Sequence, residues 1–136
     1  MSFRSLLRAL VVVGTGLAFA SPVTAAPSPR LVIPRLHLDV PVASQLEGGP
    51  RLYYRDQDTI GIAGHRTTHT HPFLHLPKLR RGDQIRVGRT RYEVRRSVVV
   101  RPTELWVLRY TGLVLSACHP AGSAKFRYVV FAARVS

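Results

Sequence analysis

From residue 31 onward, proline, glycine and aspartate cut the chain into short β-prone runs, and no stretch carries an apolar repeat of helical period long enough for a buried helix. Residues 31–42 alternate around Pro34 and Pro41, the pattern of short strands or edge segments. Residues 59–63 form a compact run of the same kind, and residues 72–79 read as one helical turn closed by Arg80-Arg81-Gly82-Asp83. Residues 84–87 and 91–100 flank Gly88-Arg89-Thr90 as a hairpin, with Ile85 and Val87 alternating with polar neighbours. Thr103 is placed to cap a short turn holding Trp106 and Val107. Residues 113–117 and 126–133 are two further β-rich runs around the turn-like segment 119–123. Strands this short, at regular spacing, predict an all-β barrel or sandwich. At 136 residues the chain supports one such domain.

The N-terminal stretch follows other rules. Arg4 and Arg8 introduce an uncharged apolar run at residues 9–20, and Ala18-Phe19-Ala20 and Val23-Thr24-Ala25 are small-residue cleavage sites. A helix crossing a bilayer needs about 20 apolar residues, which this run reaches only by including Ser21 and Pro22. Residues 1–26 are therefore read as a secretory signal, with a short uncleaved membrane anchor as the alternative. Residues 27–30 are a linker and residues 31–136 the folded domain. The product is expected to be secreted or held at the cell surface. That placement bears on the charge: 20 Lys+Arg, of which 18 are arginine, oppose 7 Asp+Glu for a net charge of +13. Such a surface favours anionic partners, but export argues against nucleic acid and leaves acidic lipid or wall polymer. A single cysteine excludes an intramolecular disulfide framework and any site of several thiolates. An unpaired thiol on an exported chain calls for a chemical reason.

Three places offer one. His65 follows the apolar run TIGIAG, Cys118 follows LVLSA, and Arg127 lies in the last β-prone run nine residues later. The first two positions suit a barrel rim, and the nine-residue spacing suits a tight loop returning an antiparallel neighbour past the cysteine. A thiolate attacks a carbonyl to give a thioester. An imidazole exchanges protons with the thiol and a leaving amine. A guanidinium donates to an oxyanion or to substrate carbonyls. Spacing alone leaves other readings open: Cys118 as a buried core thiol, His65 as a hydrogen-bonded loop histidine, Arg127 as a solvated strand residue.

The same stretches resemble the sortases, the cysteine transpeptidases of Gram-positive bacterial surfaces. The phrase IAGHRTT at residues 62–68, then Pro72-Phe73, then Leu79-Arg80-Arg81-Gly82-Asp83-Gln84-Ile85, is similar to the histidine segment and "L-x-x-G-D-x-I" stretch of the class E sortases. Val114-Leu115-Ser116-Ala117-Cys118 takes the place of the family's T-L-x-T-C signature. Phe126-Arg127-Tyr128-Val129-Val130-Phe131-Ala132 resembles its arginine-bearing last strand, and Ile33-Pro34 with Leu38-Asp39-Val40-Pro41-Val42 its opening "I-P-x-I-x-x-x-x-P-V". The resemblance implies an all-β, eight-stranded sortase-type barrel with one or two short helices. It implies Cys118 as nucleophile, His65 as acid and base, and Arg127 as holder of the oxyanion or the substrate carbonyls. The substrates implied are surface proteins carrying an LPxTG- or LAxTG-type sorting signal, cut between Thr and Gly. The acceptor implied is the amine of a wall precursor or a pilin lysine.

Some positions depart from the family pattern. Val114 and Ala117 stand where the signature has threonine, so two hydroxyls beside the nucleophile are absent. Ala117 is taken as a substrate-binding position, and Tyr53 or Tyr54 as the stand-in for a groove tyrosine. An aromatic pair on a β edge is the other reading of those two. The segment 44–58 is shorter than class E members carry there. Glu47, Asp56 and Asp58 are too scattered for a calcium site. His65, His69, His71 and His75 fall close together with His119 beside Cys118, but Pro72 biases His71 away from helix, so no ready ligand face forms and no metal or other cofactor is expected. His119, adjacent to Cys118 on a strand, points to the opposite face. Two other functions remain beside the transpeptidase. One is a non-catalytic basic module that grips the envelope. The other, an L,D-transpeptidase, fits poorly because Ser116-Ala117 replace the histidine and glycine that precede its cysteine. A monomer is expected.

Overall fold

The computed structural model describes residues 11–136. Arg4, Arg8 and the start of the apolar run fall outside the described residues. Residues 11–29 form no helix or strand, and Val11, Leu17 and Phe19 lie exposed. Among the described residues no helix is long and apolar enough to cross a membrane.

The folded part is one curled sheet. Strand β1 (Arg30–Ile33) turns through the 3-10 segment η1 (Pro34–Leu36) into β2 (Leu38–Pro41), pairing antiparallel from Arg30 with Pro41 to Ile33 with Leu38. Pro34 sets the bend, and His37 closes it in a left-handed conformation (φ 51°). Then follow η2 (Leu46–Gly48), β3 (Arg51–Arg55), β4 (Thr59–Ala63), η3 (Leu76–Lys78), β5 (Gln84–Val87), β6 (Thr90–Val100), η4 (Leu105–Arg109), β7 (Gly112–His119) and β8 (Phe126–Val135). The spatial order is β2-β1-β5-β6-β8-β7-β4-β3. A single bridge between Ala43 and Arg51 brings the two edges together, which gives the sheet its barrel form. Among the described residues every strand pairing is antiparallel except β4 with β7, and the Ala43–Arg51 bridge is also parallel.

The all-β expectation holds, with local differences. Residues 72–79 supply only the three-residue η3, because Pro77 inside it cannot donate to a longer helix. The β5–β6 turn is Gly88-Arg89 alone, with Gly88 at φ 59°, so Thr90 joins the strand opposite Val87. Strand β3 is the β edge that carries Tyr53 and Tyr54, and a register shift between Leu52 and Tyr54 breaks its regular alternation. Among the described residues the helical content is four 3-10 segments of three to five residues.

Strand β7 explains how the core is divided. Leu113, Leu115 and Ala117 face the barrel interior with Leu31, Ile33, Ile62, Ile85 and Val130, which Phe73 and Leu76 close from the loop before β5. Val114 faces outward with Val129 and Phe131 into a second cluster, covered by Val107 of η4. A strand buried on both faces reads as a continuous apolar run, as GLVL does. Each fully buried Leu, Ile or Phe contributes about 1.5–3 kcal/mol. The interior cluster therefore holds β4, β7 and β8 in fixed relation.

The turn into β5 is tied by Asp83. Its carboxylate accepts from the Arg80 backbone N–H at 2.8 Å and from the Arg35 guanidinium at 3.2 Å. Burial raises its pKa, but these donors outweigh burial and hold it below the ordinary 3.8. A carboxyl depressed in the folded state stabilises above its unfolded pKa, and that contribution disappears as pH falls through the folded value. Urea midpoints of wild type and Asp83→Asn are expected to differ at neutral pH and to converge as pH falls through the lowered folded-state pKa.

Candidate active site

Strand β8 returns beside β7 so that Cys118 and Arg127 are direct register partners, as are Ser116 with Val129 and Val114 with Phe131. Residues opposed in an antiparallel pair share a face. These six side chains therefore form one strip on the outside of the barrel, the side that η4 covers. Cys118 is a free, half-buried thiol at the upper end of that strip. Arg127 is steered by its own backbone: Nη1 donates to the carbonyls of Ala124 at 2.9 Å and Phe126 at 3.0 Å. Nε and Nη2 have no protein acceptor among the described residues, so the fork is anchored at one prong and open at the others.

The imidazole arrives from the other side of β7. Strand β4 runs parallel to it with Ala63 beside Ser116. One step on, the Gly64 N–H donates to the Ser116 carbonyl at 3.1 Å, and the Phe73 N–H donates to the His65 carbonyl at 3.0 Å. Those two bonds hold the His65 backbone at the rim, two residues beyond Ala63. Gly64 allows it: a Cβ there would lie 2.6 Å from the fully buried Phe73 ring. His65 is half-buried, and its Nε2 is shielded from solvent with no hydrogen-bond partner among the described residues. A buried ring nitrogen without a partner is costly, an exception in keeping with a proton-transfer or ligand role.

Below the thiol runs a groove of about 320 Å³. Ala63, Ser116, Arg127 and Val129 form its floor, Tyr53 and Leu46 one wall, and residues 100–108 the other. Its lining is largely apolar, and Leu105 is 67% exposed at the edge. The Tyr53 ring lies over Gly61, whose missing side chain leaves it room: an added Cβ would sit 3.0 Å from Tyr53 Cζ. Burial raises the Tyr53 phenol pKa. A larger cleft of about 550 Å³ lies at the opposite end of β4 and β7, around Asp58, Thr59 and Gly112, and has no thiol or imidazole in its walls.

Two of the expected substrate-binding residues are elsewhere. Ala117 is 3% exposed and belongs to the interior core, because the period of two that puts Cys118 on the outer face turns its neighbour away. Tyr54 donates its hydroxyl to the Asp56 carboxylate at 2.7 Å, a bond that raises the phenol pKa, and does not line the groove. Tyr53 is the member of the pair that does.

The structure adds a residue that the sequence does not single out. Arg66 is 9% exposed and has no carboxylate partner among the described residues. Its Nη1 donates to the Cys118 carbonyl at 3.3 Å and lies 3.1 Å from His119 Nδ1; its Nη2 donates to the Leu74 carbonyl at 3.3 Å. A guanidinium only donates, so His119 Nδ1 is the acceptor. His119 is thus engaged on the side away from the thiol. Arg66 ties the loop after His65 to the backbone of Cys118 and is a positioning residue. Arg66→Met removes the donors and keeps the length. It is expected to cost about 1–2 kcal/mol, because buried acceptors lose their donor while a buried charge is relieved. Turnover is expected to fall about tenfold through misplaced groups, with KM nearly unchanged. Steady-state kinetics beside urea unfolding reads both.

The histidines are grouped differently from the sequence expectation. His71 and His75 border a separate hollow with Leu36 and Leu38. His69 instead lies against His65, ring centroids 4.8 Å apart, and Glu47 joins them with the three ligand atoms all within 4.8 Å of one another.

Known proteins share this arrangement of strands. The family model described as "Sortase domain" matches residues 31–135. The crystal structure of Sortase E1 from Streptomyces coelicolor, with a tripeptide in its active site, is 26% identical and superposes with a TM-score of 0.71, covering 81% of this chain and 88% of that one. Sortase C-1 from Actinomyces oris is 27% identical with a TM-score of 0.74, covering 82% and 74%. Sortase A from Corynebacterium diphtheriae, at 23% identity and a TM-score of 0.73 over 82% of this chain and 61% of that one, shares the fold. No curated protein sequence gives a comparable match.

Proposed function

The chain belongs to the sortase family, and from that membership we propose a cysteine transpeptidase of the cell surface that works through Cys118, His65 and Arg127. The Cys118 thiolate attacks the carbonyl carbon between Thr and Gly of an LPxTG- or LAxTG-type sorting signal. The tetrahedral oxyanion is met by the open N–H groups of Arg127. As it collapses, the C–N bond breaks, the glycine amine leaves with a proton from His65, and a thioester to Cys118 remains. An amine of a wall precursor or a pilin then loses its proton to His65, attacks the thioester and frees the thiol. The apolar groove between Tyr53 and residues 100–108 suits the leucine and proline or alanine that lead such a signal. Residues 1–26 serve as the export signal or tether.

The observation that carries this reading is the register pairing of Cys118 with Arg127 on the groove face. The test is incubation of the protein with fluorogenic LPxTG and LAxTG peptides, with and without an amine acceptor, followed by intact mass. Cleavage with an acyl adduct on the chain, converted to the amide product by the acceptor, is the expected result. Inertness toward both peptides, together with salt-sensitive binding to isolated cell wall, would instead identify a non-catalytic module using its +13 charge.

A further inference from the structure

We propose that Glu47, His65 and His69 form a zinc site that captures the imidazole of the catalytic face. The site itself is independent of the proposed function; only its consequence for turnover rests on that reading. The three residues come from separate places: Glu47 from η2, His65 from the rim after β4, and His69 from the loop that follows. Their ligand atoms nevertheless lie within 4.8 Å of one another.

Several observations point to a bound cation rather than a chance cluster. His65 Nε2 is shielded from solvent and has no partner among the described residues. No hydrogen bond or salt bridge engages the Glu47 carboxylate among the described residues. The His65 and His69 rings are tilted by 42°, so they do not stack face to face and their nitrogens are able to converge. His69 reaches this position from a left-handed backbone (φ 54°), a region that histidine tolerates better than most side chains.

The donor set selects the metal. Two imidazoles and one carboxylate match the open zinc pattern of three protein ligands and a free fourth position. Calcium and magnesium demand oxygen ligands and are disfavoured. Zinc–nitrogen bonds of about 2.0–2.1 Å require the ligand atoms to close in by roughly an ångström or more. Glu47 and His69 are exposed, so rotation of their side chains supplies the movement. Binding places the metal on a lone pair that His65 would otherwise use to take a proton. An imidazole so occupied neither protonates the leaving amine nor deprotonates the acceptor. Zinc is therefore a reversible off-switch for the proposed reaction.

The experiment titrates the full chain with zinc chloride by calorimetry, and with cobalt(II) to read the visible bands of a low-coordinate site. Wild type is expected to take up one equivalent, and His69→Ala and Glu47→Gln each to bind roughly 10–100-fold more weakly. Cys118→Ala and the double variant His71→Ala/His75→Ala are expected to bind as wild type does. Affinity unchanged in His69→Ala, or affinity that follows Cys118 or the His71/His75 pair, overturns the site. In the peptide assay, cleavage should stop as the equivalent is bound and return with chelator. The zinc concentration for half inhibition, normalised to each variant's zinc-free rate, should rise with the measured dissociation constant. Zinc bound through His69 with cleavage undiminished would leave the site standing and remove His65 from the proposed chemistry. Absence of cleavage without zinc would remove the proposed function and leave calorimetry to decide the site.

Discussion

Cys118→Ala is expected to abolish peptide cleavage, a loss on the order of 10³-fold or more, while the protein unfolds within about 1 kcal/mol of wild type. The two expectations separate because of where the thiol sits. Cys118 is half-buried at the end of β7, beyond the interior cluster that ends at Ala117, so its removal opens no core cavity. Without sulfur there is no atom to carry the acyl group, and the remaining groups only orient the substrate. Cys118→Ser keeps a hydroxyl but is also expected to fail, since an alcohol is far less acidic than a thiol and leaves too little of the anion that attacks. The chain has one cysteine, so alkylation gives an unambiguous second reading. Iodoacetamide should add one adduct to the folded protein, substrate peptide should slow that addition, and activity should fall in step with labelling. Cleavage surviving in Cys118→Ala would refute the nucleophile.

What the sequence discloses and what it hides follow from the physics of a curled sheet. Cys118 and His65 stand out because each follows an apolar β-prone run, where a strand leaves the core. Arg127 is nine residues from Cys118, a separation that a tight antiparallel return brings into register. Ala117 lies in the core because a strand shows alternate residues to alternate faces, which a linear signature does not encode. The extent of β3 is hidden because its register shift removes the alternation that marks a strand's bounds. Arg66 is hidden for a different reason. It is one of 18 arginines, and only the fold reveals that this one is buried against the Cys118 carbonyl. The groove wall at residues 100–108 mixes Val100, Leu105, Val107 and Leu108 with Arg101 and Glu104 and carries no nucleophile, so nothing in its composition marks it as a binding surface. Glu47 meets His65 and His69 only because the η2 segment lies against the rim, a contact with no local signature.

Arg127→Ala is expected to lower kcat/KM by about 10²–10³-fold, the usual cost of losing a preorganised donor to an oxyanion. The guanidinium is suited to that work because part of it is already committed. Two bonds from Nη1 to the Ala124 and Phe126 carbonyls fix the plane of the fork, so the open N–H groups need no reorganisation when negative charge develops. Arg127→Lys is expected to recover little. An ammonium on a flexible stem keeps the charge, but it lacks the planar fork that anchors with one prong and donates with the others. Loss of the two backbone bonds should cost stability only about 1 kcal/mol, so unfolding does not explain the lost rate. The kinetic constants then divide the two possible duties. If the fork meets the oxyanion, kcat falls with kcat/KM and KM stays near its wild-type value. If it holds the ground-state carbonyls of the peptide, KM rises and kcat is spared. Partial restoration of Arg127→Ala by added alkylguanidine, without a change in KM, would assign the group to the transition state; unaltered kcat/KM in Arg127→Ala would take it out of the reaction.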